Sequence, residues 1–407
     1  MFNISSVSNE VKEEVKGLID QHIHQEDITD MLKELSESVP MKKVTEALRQ
    51  LYYIEKFTFM YEIEHFVSSY EKVTHQSLTE MTLSTDTTHP LNIFKHEINL
   101  FKYLLKDTAE LFDKVKEDDS EAVEIFKEKV QALSGLIPHF NRKEKLIFPV
   151  IERRGEYILP RKMWADDDVI RFALNKLQKR VAKIDEVEWR HIQNAYTELE
   201  ISLTDMLRQE EILFIPLIQE DISPVEWQQI AQESSAFGYA IEVTETYHDS
   251  EIEITPIDAQ YDAKQGQQNL RFGGGFLTTK EADLILNNLP VEITFVDKNG
   301  TFKYFNDLIE ASEMMFIRTP ISIGRNVANC HPPKSLSKVM QIIRDLKTKQ
   351  KESESMWFKK GNQFIHVTYK ALFDENDTYI GILEYVQDIQ PFFELPQRFK
   401  RDATKNK

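Results

Sequence analysis

The sequence predicts a multi-domain α plus α/β protein, with N-terminal helices, a four-helix bundle, and a small C-terminal antiparallel sheet with flanking helices. Three observations predict it. Gly and Pro are sparse before residue 220, while apolar residues recur there at helical spacing. The stretch 241–277 turns polar, carries Gly273-Gly274-Gly275 and has no sustained apolar period. Beyond it, short β-rich runs alternate with strong turn signals.

From Glu13 to about Gln76 the pattern gives two or three helices broken near Val39-Pro40, an N-terminal helical domain assigned to residues 13–78. The bundle is assigned to 85–240. Its first helix, over 90–117, starts after His89 with Pro90, and Phe94, Ile98, Phe101, Leu105, Phe112 and Val115 form one apolar stripe along it. Helices at 120–152, 163–184 and 188–219 follow, with a further one over 224–239. Four helices of this length imply an up-and-down bundle. Residues 241–277 read as a linker with room for one short strand. In the last domain, 278–392, Val291 to Asp297 is β-rich, Asn299-Gly300 is a hairpin turn, and Thr301 to Asn306 answers with Phe302 and Tyr304 in alternation. A helix from Ser335 to Lys347 precedes three runs, Ser353 to Lys359, Gln363 to Phe373 and Tyr379 to Val386. Gly361-Asn362 and Glu375-Asn376-Asp377 separate them, so they pair as an antiparallel meander.

Composition narrows the function classes. With 407 residues the chain exceeds one ordinary core, and 41% hydrophobic with 29% charged residues is globular. No run of eighteen apolar residues is present, so no membrane helix is expected. Met1 to Lys16 lacks the basic and apolar regions of a signal peptide, and Cys330 is the single cysteine; both point to the cytoplasm. A formal charge of −18 argues against nucleic acid as a partner.

Particular motifs go further. Val291 to Asn306, Arg318-Thr-Pro-Ile-Ser-Ile-Gly-Arg325, Asn329-Cys-His-Pro-Pro-Lys334, Phe364-Ile-His and the closing Gln387-Asp-Ile resemble a PAS subfamily. Upstream, His89-Pro90, His139-Phe-Asn-Arg-Lys-Glu144-Lys-Leu-Ile-Phe-Pro149, Met163-Trp164 and Arg208-Gln-Glu210-Glu-Ile-Leu-Phe214 resemble a hemerythrin-like, HHE cation-binding bundle, preceded in that arrangement by a short helical domain of unknown function. The resemblance covers residues 13 to 392. There is also an internal echo: Arg142-x-Glu144-x-Leu-Ile-Phe148 aligns with Arg208-x-Glu210-x-Ile-Leu-Phe214, which sets Asp205 opposite His139 and Glu210 opposite Glu144.

The resemblance implies a metal site in the bundle, with His89, His139, Glu144, Asp167, Asp205 and Glu210 as candidate ligands for iron or another divalent ion. Imidazole and carboxylate donors suit that chemistry. Residues five apart are turned by about 140° on a regular helix, so His139 and Glu144 cooperate only if the helix is distorted. The chain departs from the family at two positions. Asn92 and Asp167 stand where the family carries histidines, with His96 and His191 as the nearest substitutes, so weak metal binding and a metal-independent fold are expected. The alternative reading of His139 is a hydrogen-bonded core histidine. In the PAS part, Phe295, Tyr304, Cys330, His331, Trp357 and Phe364 are the candidate ligand-lining residues, and alternation along the strands also makes the aromatic ones ordinary core.

The functional expectation is a cytoplasmic sensor or regulator. Its bundle responds to oxygen, nitric oxide or redox state, and its PAS domain binds an unidentified ligand or a partner, with a PAS homodimer as one arrangement. No Gly-x-Gly-x-x-Gly fingerprint or basic helix-turn-helix is present, so output passes through contact with a protein partner. The alternatives are a non-haem iron enzyme acting on oxygen or nitric oxide, and a metal-free interaction module.

Overall fold

A computed structural model of the chain describes residues 8–78, 86–117, 119–249 and 270–395. It divides into a helical unit, residues 1–253, and a second unit, residues 254–407.

The helical unit opens with α1 (Asn9–Ile23), α2 (Thr29–Ser38), α3 (Met41–Arg49) and α4 (Met60–Thr74). These are more helices than the two or three read from the sequence, because α2 and α4 start beside Asp27 and the exposed Phe59, where the sequence carries no strong breaker. Asp27 accepts from Thr29 N at 3.0 Å, and Glu62 accepts from Phe59 N at 2.8 Å, so each start is closed by a side chain. Leu18, Ile19, Leu32, Leu35, Val44, Leu48, Ile63 and Phe66 pack into one core with Ile212 and Leu213 of the bundle. Each such side chain contributes roughly 1.5–3 kcal/mol by leaving water.

The bundle comprises α5 (Pro90–Ala109), α6 (Phe112–Lys116), α7 (Ser120–Ala132), α8 (Leu136–Arg142), α9 (Phe148–Arg153), α10 (Ile158–Val181), α11 (Trp189–Gln209), α12 (Ile215–Asp221) and α13 (Pro224–Ser234). His89 caps α5, accepting from Leu91 N through Nδ1 at 3.2 Å, and Pro90 sits where no N–H is needed. Phe94, Ile98, Phe101 and Leu105 are buried as the stripe requires, although the expected single helix over 90–117 is divided between α5 and α6.

The long second and fourth bundle helices are each interrupted by a π turn, Lys143–Ile147 and Glu210–Phe214. A proline follows each turn, Pro149 near the start of α9 and Pro216 near the start of α12. Proline has no N–H to donate one turn back and its ring crowds that carbonyl, so the helix opens into a wider turn instead. Arg49 of α3 donates to Leu213 O at 3.4 Å within the second of these turns.

The second unit begins with a hairpin, β1 (Leu270–Phe272) and β2 (Gly275–Leu277), then α14 (Thr279–Leu286), whose N-terminus is closed by a Thr278–Glu281 capping box. The five-stranded antiparallel sheet has the order β4-β3-β7-β6-β5, formed by β3 (Glu292–Asp297), β4 (Phe302–Phe305), β5 (Ser353–Lys360), β6 (Gln363–Phe373) and β7 (Tyr379–Asp388). α15 (Pro333–Lys347) covers one face, packing Leu346 against Ala371 and Ile382; α16 (Gln390–Phe393) follows. Gly381 lets β7 approach β3, since a Cβ there would fall 2.2 Å from Val296 O. The five strands of the sheet fall where the sequence placed them, and β5, β6 and β7 form the expected meander, whereas the stretch read as a linker with room for one short strand carries two, β1 and β2, paired across Gly273-Gly274.

Candidate functional site

The buried centre of the bundle is polar. His139 on α8 is fully buried, with Nδ1 2.7 Å from Glu97 Oε2 of α5 and Nε2 3.1 Å from Glu210 Oε2. Carboxylate oxygens only accept, so both ring nitrogens carry protons and the ring is an imidazolium. Burial alone would lower the His139 pKa, but Glu210 and Glu97 outweigh it and raise it. Phe94 stacks on the ring with centroids 4.0 Å apart, fixing its plane.

Lys143 lies one helical turn further on. Its ammonium donates to Asp167 Oδ1 at 2.7 Å and to Glu210 Oε1 at 2.5 Å, with Met206 Sδ at 3.5 Å. The side chains of Lys143, Asp167 and Glu210 are wholly inaccessible to water. Burial would raise the Glu210 carboxyl, yet Lys143 and His139 bring it down to about 2. Asp167 goes the other way: burial, together with the neighbouring Glu144 and Glu210 carboxylates, pushes its carboxyl well above the usual range against the pull of Lys143, and among the described residues its Oδ2 has no hydrogen-bond partner. Arg142 closes on Glu97, and Arg171 donates to Glu144 at 2.7 Å. The acids Glu97, Glu144, Asp167 and Glu210 are thus matched by His139, Arg142, Lys143 and Arg171.

Of the six metal candidates, the structure brings His139, Asp167 and Glu210 into this network, with Glu144 at its edge on Arg171. His89 is elsewhere, capping α5 with its ring against Trp227 at 5.2 Å and Tyr247 at 4.7 Å. Asp205 is half-exposed beside Arg208 at 3.6 Å, so it is not the counterpart of His139. The physical reason is register. The π turns and their prolines align Lys143 with Glu210 and Pro149 with Pro216, one residue away from the sequence echo, and this sets buried Met206, not Asp205, opposite His139. His96 and His191 face solvent, and Asn92 is spent on the start of α5, donating to Asp86 O at 2.7 Å.

The residues present do not fit a metal. Both His139 nitrogens are committed to carboxylates, and the space between Asp167 and Glu210 is filled by an ammonium group. Among the described residues no group of three or more His, Cys, Asp and Glu is arranged to hold an ion. Glu97, Arg142, Lys143 and Arg171 were missed by reasoning from ligand types, because cations are not looked for at a metal site. Arg142 and Lys143 nevertheless stand inside the motif that carries the resemblance.

In the sheet, Phe295 pairs with Tyr304 and Trp357 with His366, and strand alternation puts Phe295, Tyr304, Trp357 and Phe364 on one face. That face is opposite the one carrying Ile365, Val367, Ala371 and Ile382, on which α15 packs. Trp357 is 65% exposed, and Phe364 packs on Phe393 at 5.2 Å, so these aromatics do not line a common interior cavity. Cys330 and His331 are half-buried in the loop before α15, where the Cys330 thiol lies 3.5 Å from Asn326 O. The covered face carries a polar group of its own: Arg318 donates to Glu292 at 2.9 Å and to Glu384 at 3.2 Å, and beside Glu384 the Tyr369 hydroxyl has its pKa raised by burial.

Several solved structures are similar to part of the chain. The C-terminal domain of a Streptococcus mutans protein is 48% identical to this chain, covering 32% of it and 99% of its own length, with a TM-score of 0.32. A PAS domain of a Colwellia psychrerythraea protein is 17% identical over 28% of this chain and 97% of its own, with a TM-score of 0.22. A sensory box sensor histidine kinase from Vibrio cholerae is 14% identical over 26% of this chain and 88% of its own, with a TM-score of 0.21. No curated protein matches the chain. Family models match both parts, and the chain carries a hemerythrin HHE cation binding domain over residues 89–218 and a PAS domain over residues 282–390.

Proposed function

We propose that this chain is a cytoplasmic sensory regulatory protein whose PAS domain takes the input and whose hemerythrin-type bundle works as an ion-paired, metal-independent module. The pairing of these two domain families supports a sensory role. The observation that carries the finer reading is Lys143: its ammonium holds Asp167 and Glu210 together where an inorganic cation would otherwise be needed. A buried lysine is a tethered charge that cannot exchange, dissociate or bind oxygen or nitric oxide. The bundle therefore takes no gaseous ligand through iron at this position, and oxidant sensitivity falls instead on Cys330, the single cysteine.

Output passes through protein contact. No described helix is long and apolar enough to cross a membrane, and the exposed Leu284 and Ile285 of α14, with Trp357 on β5, offer apolar surface to a partner or to a second copy of the PAS domain.

The test is anaerobic loading of the full chain with ferrous iron, desalting and elemental analysis, alongside thermal melts with and without chelator. The expected result is substoichiometric iron and an unchanged melting temperature. A tightly held iron pair with an oxo-bridged absorption spectrum overturns the reading.

A further inference from the structure

Residues 235–249 follow α13 without forming helix or strand, yet they are not free of the bundle. Gly238, with φ of +81°, turns the chain back. The Ala240 amide then donates to Glu97 Oε1 at 2.8 Å, and the Arg142 guanidinium lies over the Tyr239 ring at 4.7 Å. Gly135 makes room for this crossing, since a Cβ there would stand 2.7 Å from the Ala240 Cβ. Further along, Tyr247 meets His89, the cap of α5.

The partners of this strap are members of the buried network. Glu97 is the carboxylate that holds His139, and Arg142 is the guanidinium that closes on Glu97. An exposed strap would be expected to dock on surface side chains. This one is half-buried where it crosses, and it covers the Glu97 carboxylate, which with the strap in place is fully inaccessible to solvent.

We propose that the strap, residues 238–247, is a latch whose docking depends on the state of the ion network and which hands that state to the chain leading out of the bundle. The inference rests on the reading of the bundle as an ion-paired regulatory module. Its test is independent of metal content, because it reads strap protection and not bound ions. The physical link is short. Any change that draws Glu97 or Arg142 toward other partners removes the acceptor of the Ala240 amide or the cation over Tyr239, and among the described residues no backbone ladder holds the strap. Coupling of this kind is reciprocal, so freeing the strap loosens the hold on Arg142 and hence on α8.

The experiment is amide hydrogen exchange on the full-length chain, following peptides that cover residues 235–249 and α8. In the native chain the strap is protected although it lacks regular structure. Gly135→Ala, which pushes on Ala240, raises exchange in the strap by about tenfold, and adding Ala240→Gly returns part of that protection. Lys143→Met, which touches the network but not the strap, raises strap exchange as well. Tyr239→Ala keeps the test open if Lys143→Met does not fold, and here exchange rises in both the strap and α8. Unchanged strap exchange in folded Lys143→Met, or a rise confined to the strap in Tyr239→Ala, overturns the proposal.

Discussion

Lys143 Nζ lies 2.7 Å from Asp167 Oδ1, and both side chains are wholly buried, so a residue of the second bundle helix is tied by charge to one on the third. The same ammonium reaches Glu210 of the fourth at 2.5 Å, and through His139 the network continues to Glu97 of the first. All four bundle helices are therefore joined at one point. Buried pairs of this kind add little net stability over a well-packed apolar core, but breaking one leaves an uncompensated charge.

Lys143→Met should destabilise the helical unit by about 3–5 kcal/mol, because Asp167 loses its hydrogen-bond partner and Glu210 one of its two cations. The same variant should gain affinity for a divalent ion, since a carboxylate pair is left without its cation. Urea unfolding with and without added zinc reads both effects: a shift of the midpoint with zinc in the variant and none in the native chain.

Acid should unfold the bundle early. Glu210 is lowered from the ordinary carboxyl value of 4.5 to about 2, so its stabilisation is present above the unfolded value and is lost as pH falls through the folded one. At about 1.36 kcal/mol per unit this amounts to about 3 kcal/mol. Glu97, also lowered, acts in the same direction, whereas the raised Asp167 carboxyl acts oppositely, gaining a proton in the folded state. His139, raised, contributes stability below its unfolded value that disappears as pH rises through its folded one. Glu210→Gln should flatten the acid limb of a stability profile measured between pH 5 and about 2.

Asp205→Ala should change stability by no more than about 0.5 kcal/mol, as expected for a half-exposed side chain beside Arg208. Asp167→Ala, removing a fully buried partner of Lys143, should cost about 1–3 kcal/mol. Equal effects for the two aspartates in denaturant titrations would contradict the register set by the π turns.

Gly381→Ala should destabilise the sheet by about 1–3 kcal/mol, because the added Cβ meets Val296 O and the Phe295 ring and forces β7 away from β3. The loss should appear in the unfolding of the PAS unit and leave that of the helical unit unchanged. Calorimetry of the full chain separates the two transitions.

The elements were legible because their signals are local. Apolar spacing along Phe94, Ile98, Phe101 and Leu105, the Pro90 start, and the Asn299-Gly300 turn each act within a few residues, and the structure places α5, β3 and β4 accordingly. His139 was legible as an interior residue for the same reason.

The site itself was decided by packing between helices. Whether Asp205 or Met206 holds the position equivalent to His139 depends on one residue of register, and that register shows in where the two π turns start, at Lys143 and Glu210, rather than in residue type. Pro149 and Pro216 are the local trace of it. Similarly, alternation shows that Phe295 and Trp357 share a face but not which face α15 will cover, since both faces of these strands carry aromatic residues. The inward placement of the Lys143 ammonium is the furthest from local pattern. A lysine on a helix reads as solvated until three neighbouring helices close around it, and only that closure, with Asp167 and Glu210 brought within hydrogen-bonding distance, turns its charge inward.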